Sequence, residues 1–146
     1  GWIFHGGQIG DGAAVGNGVL DLNLSAASGS MAAATHNRFY VPPFSTHIRF
    51  CTRVVAADSD DRLRVKVGSN LEADQPVDMV TNACGETIIS MGPYQDSVQT
   101  LSFELVGNGS GTARVFVDNI AFLPSDLLLL DGFETGNTSG WTTAIP

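Results

Sequence analysis

Polar and apolar residues alternate along several short stretches of the chain, and this alternation is typical of β-strands with one buried face. In Val19–Leu24, three leucines alternate with Asp21 and Asn23. The same pattern recurs in His47–Ala56, Arg62–Val67, Ser97–Val106 and residues 112–123. The faces predicted to be buried in three of these strands carry Ile48, Phe50, Thr52, Val54, Leu63, Val65, Val67, Leu101, Phe103 and Leu105. Each of these stretches is therefore predicted to be a half-buried strand.

Two of the connections have the length and composition of hairpin turns. Residues 57–61 (ADSDD) join the strands at 47–56 and 62–67, and residues 107–111 (GNGSG) join the strands at 97–106 and 112–123. Such turns predict two antiparallel hairpins.

The remaining stretches carry weaker signals. Residues 1–18 predict one short strand and then a loop, and residues 25–35 predict a loop or a weak edge strand. Residues 38–41 predict a short strand that ends at Pro42. Residues 68–97 predict irregular structure with one strand near 87–91. No stretch predicts a helix of three turns, so the pattern indicates an all-β sandwich or jelly roll.

Composition and net charge exclude classes of partner and say less about the fold. The chain has 146 residues, which is one domain's worth, and its formal net charge is −8. That charge argues against nucleic acid and an anionic membrane surface as partners. Its longest leucine run, residues 127–130, is far shorter than a membrane span.

The two cysteines, Cys51 and Cys84, are predicted to form one disulfide of an exported protein, the alternative being two buried free thiols. The chain begins with Gly1 rather than Met, so we expect a secreted, processed protein whose signal peptide has been removed.

Two segments resemble a known family. Residues 115–120 (VFVDNI) resemble the closing strand of carbohydrate-binding-module-like, galactose-binding-type jelly rolls of secreted bacterial proteins, and residues 131–141 (DGFETGNTSGW) resemble their opening strand. The resemblance implies an antiparallel jelly-roll β-sandwich. Here, however, the opening motif follows the closing one, and the chain starts with Gly1-Trp2 as though cut where that motif ends.

This order predicts a core at residues 1–123 and a strand-donating tail at residues 124–146. The predicted donor strand spans about 127–136, and its apolar residues are Leu127, Leu128, Leu129, Leu130 and Phe133. It would complete the sandwich in cis, as a hairpin with the strand at 115–122, or in trans, by insertion into the next molecule. A third interpretation is a flexible export or anchoring segment. We expect a secreted, non-catalytic structural or adhesive subunit that assembles head-to-tail into a homo-oligomeric filament. The alternative is a monomeric carbohydrate-binding module with its tail folded in cis.

The resemblance also implies a structural calcium site. Carried over by position, its carboxylates are Asp118 and Glu134, with Asp11 as a third candidate. The alternative is that Asp118 and Glu134 only bond backbone amides in turns.

A basic docking face for an acidic partner is predicted on the outward side of the first hairpin. Five of the seven basic residues share that side, namely Arg49, Arg53, Arg62, Arg64 and Lys66. The alternative is an ordinary solvated strand face.

Glycan binding is an open alternative, since sugars usually stack on exposed aromatic side chains and the candidates are Trp2, Tyr40, Tyr94 and Trp141. No enzyme is predicted, because His5, His36 and His47 are isolated and no catalytic motif is present. Asn23, Asn108 and Asn137 lie in glycosylation sequons, a number close to chance in this composition.

Overall fold

The computed structural model describes residues 2–6, 12–16, 19–24, 31–107 and 111–123. These residues form strands, one short 3₁₀ turn at Gly92–Tyr94 and the loops that connect them. The strands are β1 (Trp2–Gly6), β2 (Gly12–Gly16), β3 (Val19–Leu24), β4 (Met31–Val41), β5 (His47–Ala56), β6 (Arg62–Val67), β7 (Asn70–Pro76), β8 (Gly85–Ser90), β9 (Ser97–Val106) and β10 (Ala113–Leu123).

The strands are arranged in two antiparallel sheets of five. Sheet A has the order β1-β4-β9-β6-β7, and sheet B has the order β2-β3-β10-β5-β8. The fold is thus an antiparallel jelly-roll sandwich, and the predicted fold class is confirmed.

The core lies between the sheets and is made of the residues that alternate inward. Leu22, Phe50, Leu63, Phe103 and Val115 are all buried there. The rings of Phe50 and Phe103, from opposite sheets, meet edge to face with centroids 5.1 Å apart. Burying one such side chain stabilises the fold by about 1.5–3 kcal/mol. The predicted inward faces of β3, β5, β6 and β9 are confirmed.

Both predicted hairpins are wrong. β5 lies in sheet B and β6 in sheet A, and likewise β9 lies in sheet A and β10 in sheet B. A five-residue connection is long enough to cross the roughly 10 Å between packed sheets. Crossing lets the apolar faces of successive strands cover each other across the core, whereas a hairpin would place both faces in the same sheet.

The structure also has strands where none was predicted. β4 begins at Met31, inside the segment predicted as a loop or weak edge, and it lies between β1 and β9. Its Ala32 and Ala34 are buried against the core, so packing and not intrinsic propensity makes this segment a strand. β2 and β7 were likewise not predicted.

The predicted tail, residues 124–146, lies outside the described residues, and with it the strand donors Leu127–Leu130 and Phe133. The structure nevertheless limits the proposed cis hairpin, because β3 and β5 pair with both edges of β10 at residues 114–117. A tail strand therefore has no free edge of β10 to join at residues 115–117.

Candidate functional site

Cys51 and Cys84 form a disulfide, as predicted, with their Cα atoms 5.5 Å apart. Cys51 lies on the outer side of β5, and Cys84 lies just before β8. The bond therefore ties the 77–84 loop to the outer face of sheet B.

The five basic residues do not form one face. Arg49 and Arg53 lie on β5 in sheet B, whereas Arg62, Arg64 and Lys66 lie on β6 in sheet A. The single docking face drawn on a hairpin is wrong, because the two strands belong to opposite sheets and their outward sides point away from each other.

Acidic neighbours balance most of these charges. Arg62 Nε lies 2.5 Å from Asp74 Oδ1, Lys66 Nζ lies 2.9 Å from Glu104 Oε2, and Arg49 lies 3.9 Å from Glu86. The hydrogen bond from Arg62 holds the pKa of the Asp74 carboxyl below its usual value. Partial neutralisation of this kind is expected of a solvated face stabilised by cross-strand pairs.

Arg53 is placed differently, since its guanidinium lies 5.1 Å from the centroid of the Phe116 ring. Arg114 lies over the same ring at 5.0 Å and also makes a two-pronged ion pair with Asp21. Phe116 therefore makes cation–π contacts with two arginines on the outer face of sheet B.

Of the predicted calcium ligands, Asp118 alone belongs to the described residues, while Glu134 and Asp11 lie outside them. Asp118 Oδ1 accepts a hydrogen bond from Asn119 N at 2.7 Å. Asn119 has φ 53°, and the pairing of β10 with β5 is irregular between Asp118 and Ala121. In the described part of the chain, no cluster of three His, Cys, Asp or Glu residues could hold a metal ion.

The two tyrosines predicted as sugar-stacking candidates have opposite environments. Tyr94 is 7% exposed, donates to Glu72 and accepts from Asn70 Nδ2 at 2.8 Å. Tyr40 is 49% exposed. Tyr94 thus belongs to the packed interior, and Tyr40 presents an aromatic ring to solvent. The Trp2 side chain and all of Trp141 lie outside the part of the chain that the structure describes.

Tyr40 faces outward because of strand alternation on β4. Val41 on one side is buried, and Phe39 on the other packs inward, with its ring 5.0 Å from that of Phe122. Val98, directly opposite Tyr40 on β9, is also exposed. The result is an aromatic ring beside an aliphatic side chain on the outer face of sheet A.

A carboxylate fixes this ring. The Tyr40 hydroxyl donates a 2.9 Å hydrogen bond to Asp96 Oδ1. Asp96 itself has φ 54°, and its N–H bonds to Val41 O at 2.9 Å, which places its side chain beside Tyr40. The hydrogen bond to Asp96 raises the pKa of Tyr40, because ionisation would put two negative charges side by side. We name this group the Tyr40 surface; it consists of Tyr40, Asp96 and Val98.

Sequence reasoning missed Asp96, and no local signal marks it. It lies 56 positions from Tyr40, and only the pairing of β4 with β9 brings the two together. A further aromatic, Phe44, is half-exposed in the turn after β4 at the same end of the sandwich, where Gln95 donates to Ser45 O.

Two clefts lie elsewhere. One, of about 590 Å³, is on the outer side of sheet B at the irregularity in β10 and is lined by polar groups of Arg49, Glu86 and Asn119. The other, of about 560 Å³, is mainly apolar and lies beneath the 77–84 loop.

Two further observations concern His47 and membrane-spanning helices. His47 Nδ1 lies 2.9 Å from Oγ1 of the preceding residue, Thr46. This pair contains no carboxylate. Within the described ranges, no helix has the length and apolar character needed to cross a bilayer.

The solved structures that resemble this chain include carbohydrate-binding modules. A structure of TmCBM61 in complex with β-1,4-galactotriose has a TM-score of 0.56 at 10% identity, with coverage of 84% of this chain and 87% of that one. A CBM4 structure has a TM-score of 0.53 at 16% identity, with coverage of 84% and 93%. The chain thus has the fold of a carbohydrate-binding-module-like jelly roll, which the resemblance at residues 115–120 and 131–141 implied.

A third similar structure is the secreted serine protease VesC from Vibrio cholerae, with a TM-score of 0.55 at 16% identity. The match covers 76% of this chain but only 22% of VesC. No protein-family model matches the chain, and no curated protein matches it either. At these identities the similarity establishes the fold alone.

Proposed function

We propose that this protein is a non-catalytic carbohydrate-binding module that binds a glycan at the Tyr40 surface. The observation that carries the proposal is the exposed Tyr40 ring, fixed by Asp96, on the outer face of a jelly roll whose structural neighbours include carbohydrate-binding modules.

The chemistry of a pyranose suits this surface. A sugar ring has an apolar face of C–H groups, which buries its area on an aromatic ring, and a rim of hydroxyls that needs hydrogen-bond partners. Tyr40 and Val98 offer the apolar area. Asp96 Oδ1 is engaged by Tyr40, and the carboxylate has further acceptor capacity for a sugar hydroxyl.

The hydrogen bond also preorganises the ring. A tyrosine free to rotate would lose side-chain entropy on binding, at a cost of about 0.5–1.5 kcal/mol for each immobilised side chain. Because Asp96 already holds Tyr40, part of this cost is met during folding.

The test is binding of soluble polysaccharides, among them β-1,4-galactan, β-glucan and xylan, by affinity electrophoresis and calorimetry. We expect Tyr40→Ala to weaken binding at least tenfold, which is about 1.4 kcal/mol. Tyr40→Phe keeps the ring and loses the hydroxyl, so it should weaken binding less than Tyr40→Ala.

The matched control is Glu86→Ala, because Glu86 lines the polar cleft on the opposite sheet. It should bind as the unmodified protein does. Loss of binding in Glu86→Ala with full binding in Tyr40→Ala would move the site to that cleft. Absence of binding to every polysaccharide tested would overturn the proposal.

Secretion belongs to the same proposal. It is supported by the disulfide, which persists in oxidising compartments, and by the fold. The calcium site stays a prediction, because two of its three carboxylates lie outside the described residues.

Filament assembly depends on the tail at residues 124–146, which also lies outside the described residues. Glycan binding is therefore the better-supported function.

A further inference from the structure

β8 (Gly85–Ser90) lies at one edge of sheet B, where it pairs with β5 on one side. In the part of the chain that the structure describes, no strand pairs with its other side. Four of its six residues are exposed, namely Gly85, Glu86, Ile88 and Ser90. The backbone N–H and C=O groups that point away from β5 are therefore accessible to a further strand.

β8 lacks most of the features that protect edge strands from pairing with another chain. Its register with β5 runs without a bulge, it contains no proline or lysine, and its inward side chains are uncharged. β7, the edge strand of sheet A, differs from it. The pairing of β7 with β6 has a bulge, and β7 carries Glu72 and Asp74 and ends at Pro76. Of these two edges, β8 is therefore the one that accepts a strand more readily.

The β8 edge is also fixed in position. Thr87 Oγ1 accepts a 2.6 Å hydrogen bond from Gln75 Nε2 of β7, which joins the two sheets at this side of the sandwich. Cys84, directly before β8, is bonded to Cys51 of β5. An incoming strand therefore meets a strand that is already ordered, and the entropy lost on this side of the contact is small.

We propose that β8 pairs with β8 of a second copy of this chain, antiparallel and about a twofold axis, so that two sheets B become one. The occupant is a second copy because the strand is complementary to itself. Residues directly opposite each other in an antiparallel pair point to the same face of the sheet. The axis must therefore pass through a residue of β8 and not between two residues.

The middle of β8 leaves two registers. With the axis at Thr87, each Glu86 carboxylate would face an Ile88 side chain of the other copy. With the axis at Ile88, the two isoleucines, each 52% exposed in one chain, cover each other. Glu86 then lies opposite the hydroxyl of Ser90. This second register buries apolar surface and gives the carboxylate a hydrogen-bond donor, so it is the one that we assign.

The twofold axis has a consequence for the Tyr40 surface. Because the axis is perpendicular to the joined sheet, both sheets A lie on the same side of it, and the two Tyr40 surfaces point in the same direction. This consequence rests on the proposed function: two glycan sites on one side can engage two segments of one polysaccharide, which raises the avidity without a new contact. The dimer itself does not depend on glycan binding, since Tyr40 lies on the other sheet.

The test uses the position of the axis, because residue 88 faces itself. Ile88→Lys alone and Ile88→Glu alone each place like charges directly opposite one another, which destabilises a strand pair. In sedimentation equilibrium the unmodified chain should give a mass that rises with concentration towards twice 15.3 kDa, whereas each variant should stay at 15.3 kDa. An equimolar mixture of the two variants at low salt should form the dimer again, because a lysine then faces a glutamate.

The matched controls are Leu71→Lys and Leu71→Glu, since Leu71 is 50% exposed on β7, the edge strand of the other sheet. Both should assemble as the unmodified chain does, and unchanged thermal unfolding shows that each variant is folded. The proposal is overturned by an unmodified chain that is monomeric at every concentration, by dimers of either Ile88 variant alone, or by a mixture that stays monomeric. Tyr40→Ala should dimerise normally, so the failure of glycan binding and the failure of the dimer are distinguishable.

Discussion

Tyr40 and Tyr94 illustrate how one residue type takes two roles. Both sit next to carboxylates, Asp96 and Glu72, and the pKa of both phenols is raised. The leading cause for Tyr94 is burial, whereas for Tyr40 it is the hydrogen bond to Asp96. Tyr94 therefore stabilises the interior, and Tyr40 retains an exposed ring.

The first prediction concerns the pKa of Tyr40, which lies above its ordinary value of 10.0 in the folded protein. Asp96→Asn should lower it, because the amide carries no charge to oppose the phenolate. The measurement is the near-ultraviolet absorbance of tyrosinate during alkaline titration. Tyr40→Phe assigns the signal, since the chain has two tyrosines.

The same shift sets a pH dependence of stability. Because the folded pKa is raised, the contribution of this hydrogen bond is fully present below about pH 10 and is lost as the pH rises through the folded value. Asp96→Asn should therefore unfold with less alkaline sensitivity than the unmodified chain. Identical titration curves for the two proteins would contradict the role given to Asp96.

At the scale of elements, the 77–84 loop is the segment that depends most on one covalent bond. The disulfide joins it to β5 across a separation of 33 residues. Replacing both cysteines by serine should lower the free energy of unfolding by about 3–4 kcal/mol in the chain-entropy model. Urea denaturation measures this change.

Chemical reduction of the unmodified protein separates the effect of the disulfide bond from the effect of replacing the cysteine side chains. Reduction of the unmodified protein should bring its urea midpoint close to that of the double serine variant. An unchanged midpoint after reduction would mean that the hydrogen bonds between Thr81 and Val54 hold the loop without the disulfide.

At the scale of the molecule, the charge distribution bears on the choice of glycan. The net charge is −8, and four basic residues on the outer faces are paired with Asp74, Glu86 or Glu104. The exposed carboxylate of Asp96 at the Tyr40 surface adds to the negative electrostatic potential of the molecule. Polyanionic chains are therefore repelled over distances of about a Debye length, roughly 10 Å at 0.1 M salt.

We therefore expect neutral galactan to bind more tightly than polygalacturonate in affinity electrophoresis at low salt. The difference should shrink as salt is added, because screening weakens the repulsion. Tighter binding of polygalacturonate at low salt would point to the arginines of sheet B instead, with Arg53→Ala as the variant that identifies them.

The sequence by itself determined the strands with regular alternation, namely β3, β5, β6, β9 and β10, and the buried faces of the first four. Alternation with a period of two is a local property, so Leu63, Val65 and Val67 or Leu101, Phe103 and Leu105 were recognised without knowledge of their partners. The strand pattern, together with the resemblance carried by residues 115–120 and 131–141, predicted the class of fold, and the count of two cysteines led to the disulfide.

Only the tertiary structure decided which strands share a sheet. A connection such as residues 57–61 can close a hairpin or cross the core, and the choice depends on packing between faces distant in sequence. That choice divided the five basic residues between two faces. The same non-local pairing brought Asp96 to Tyr40 and buried Tyr94, so the candidate site could be found only in the folded chain.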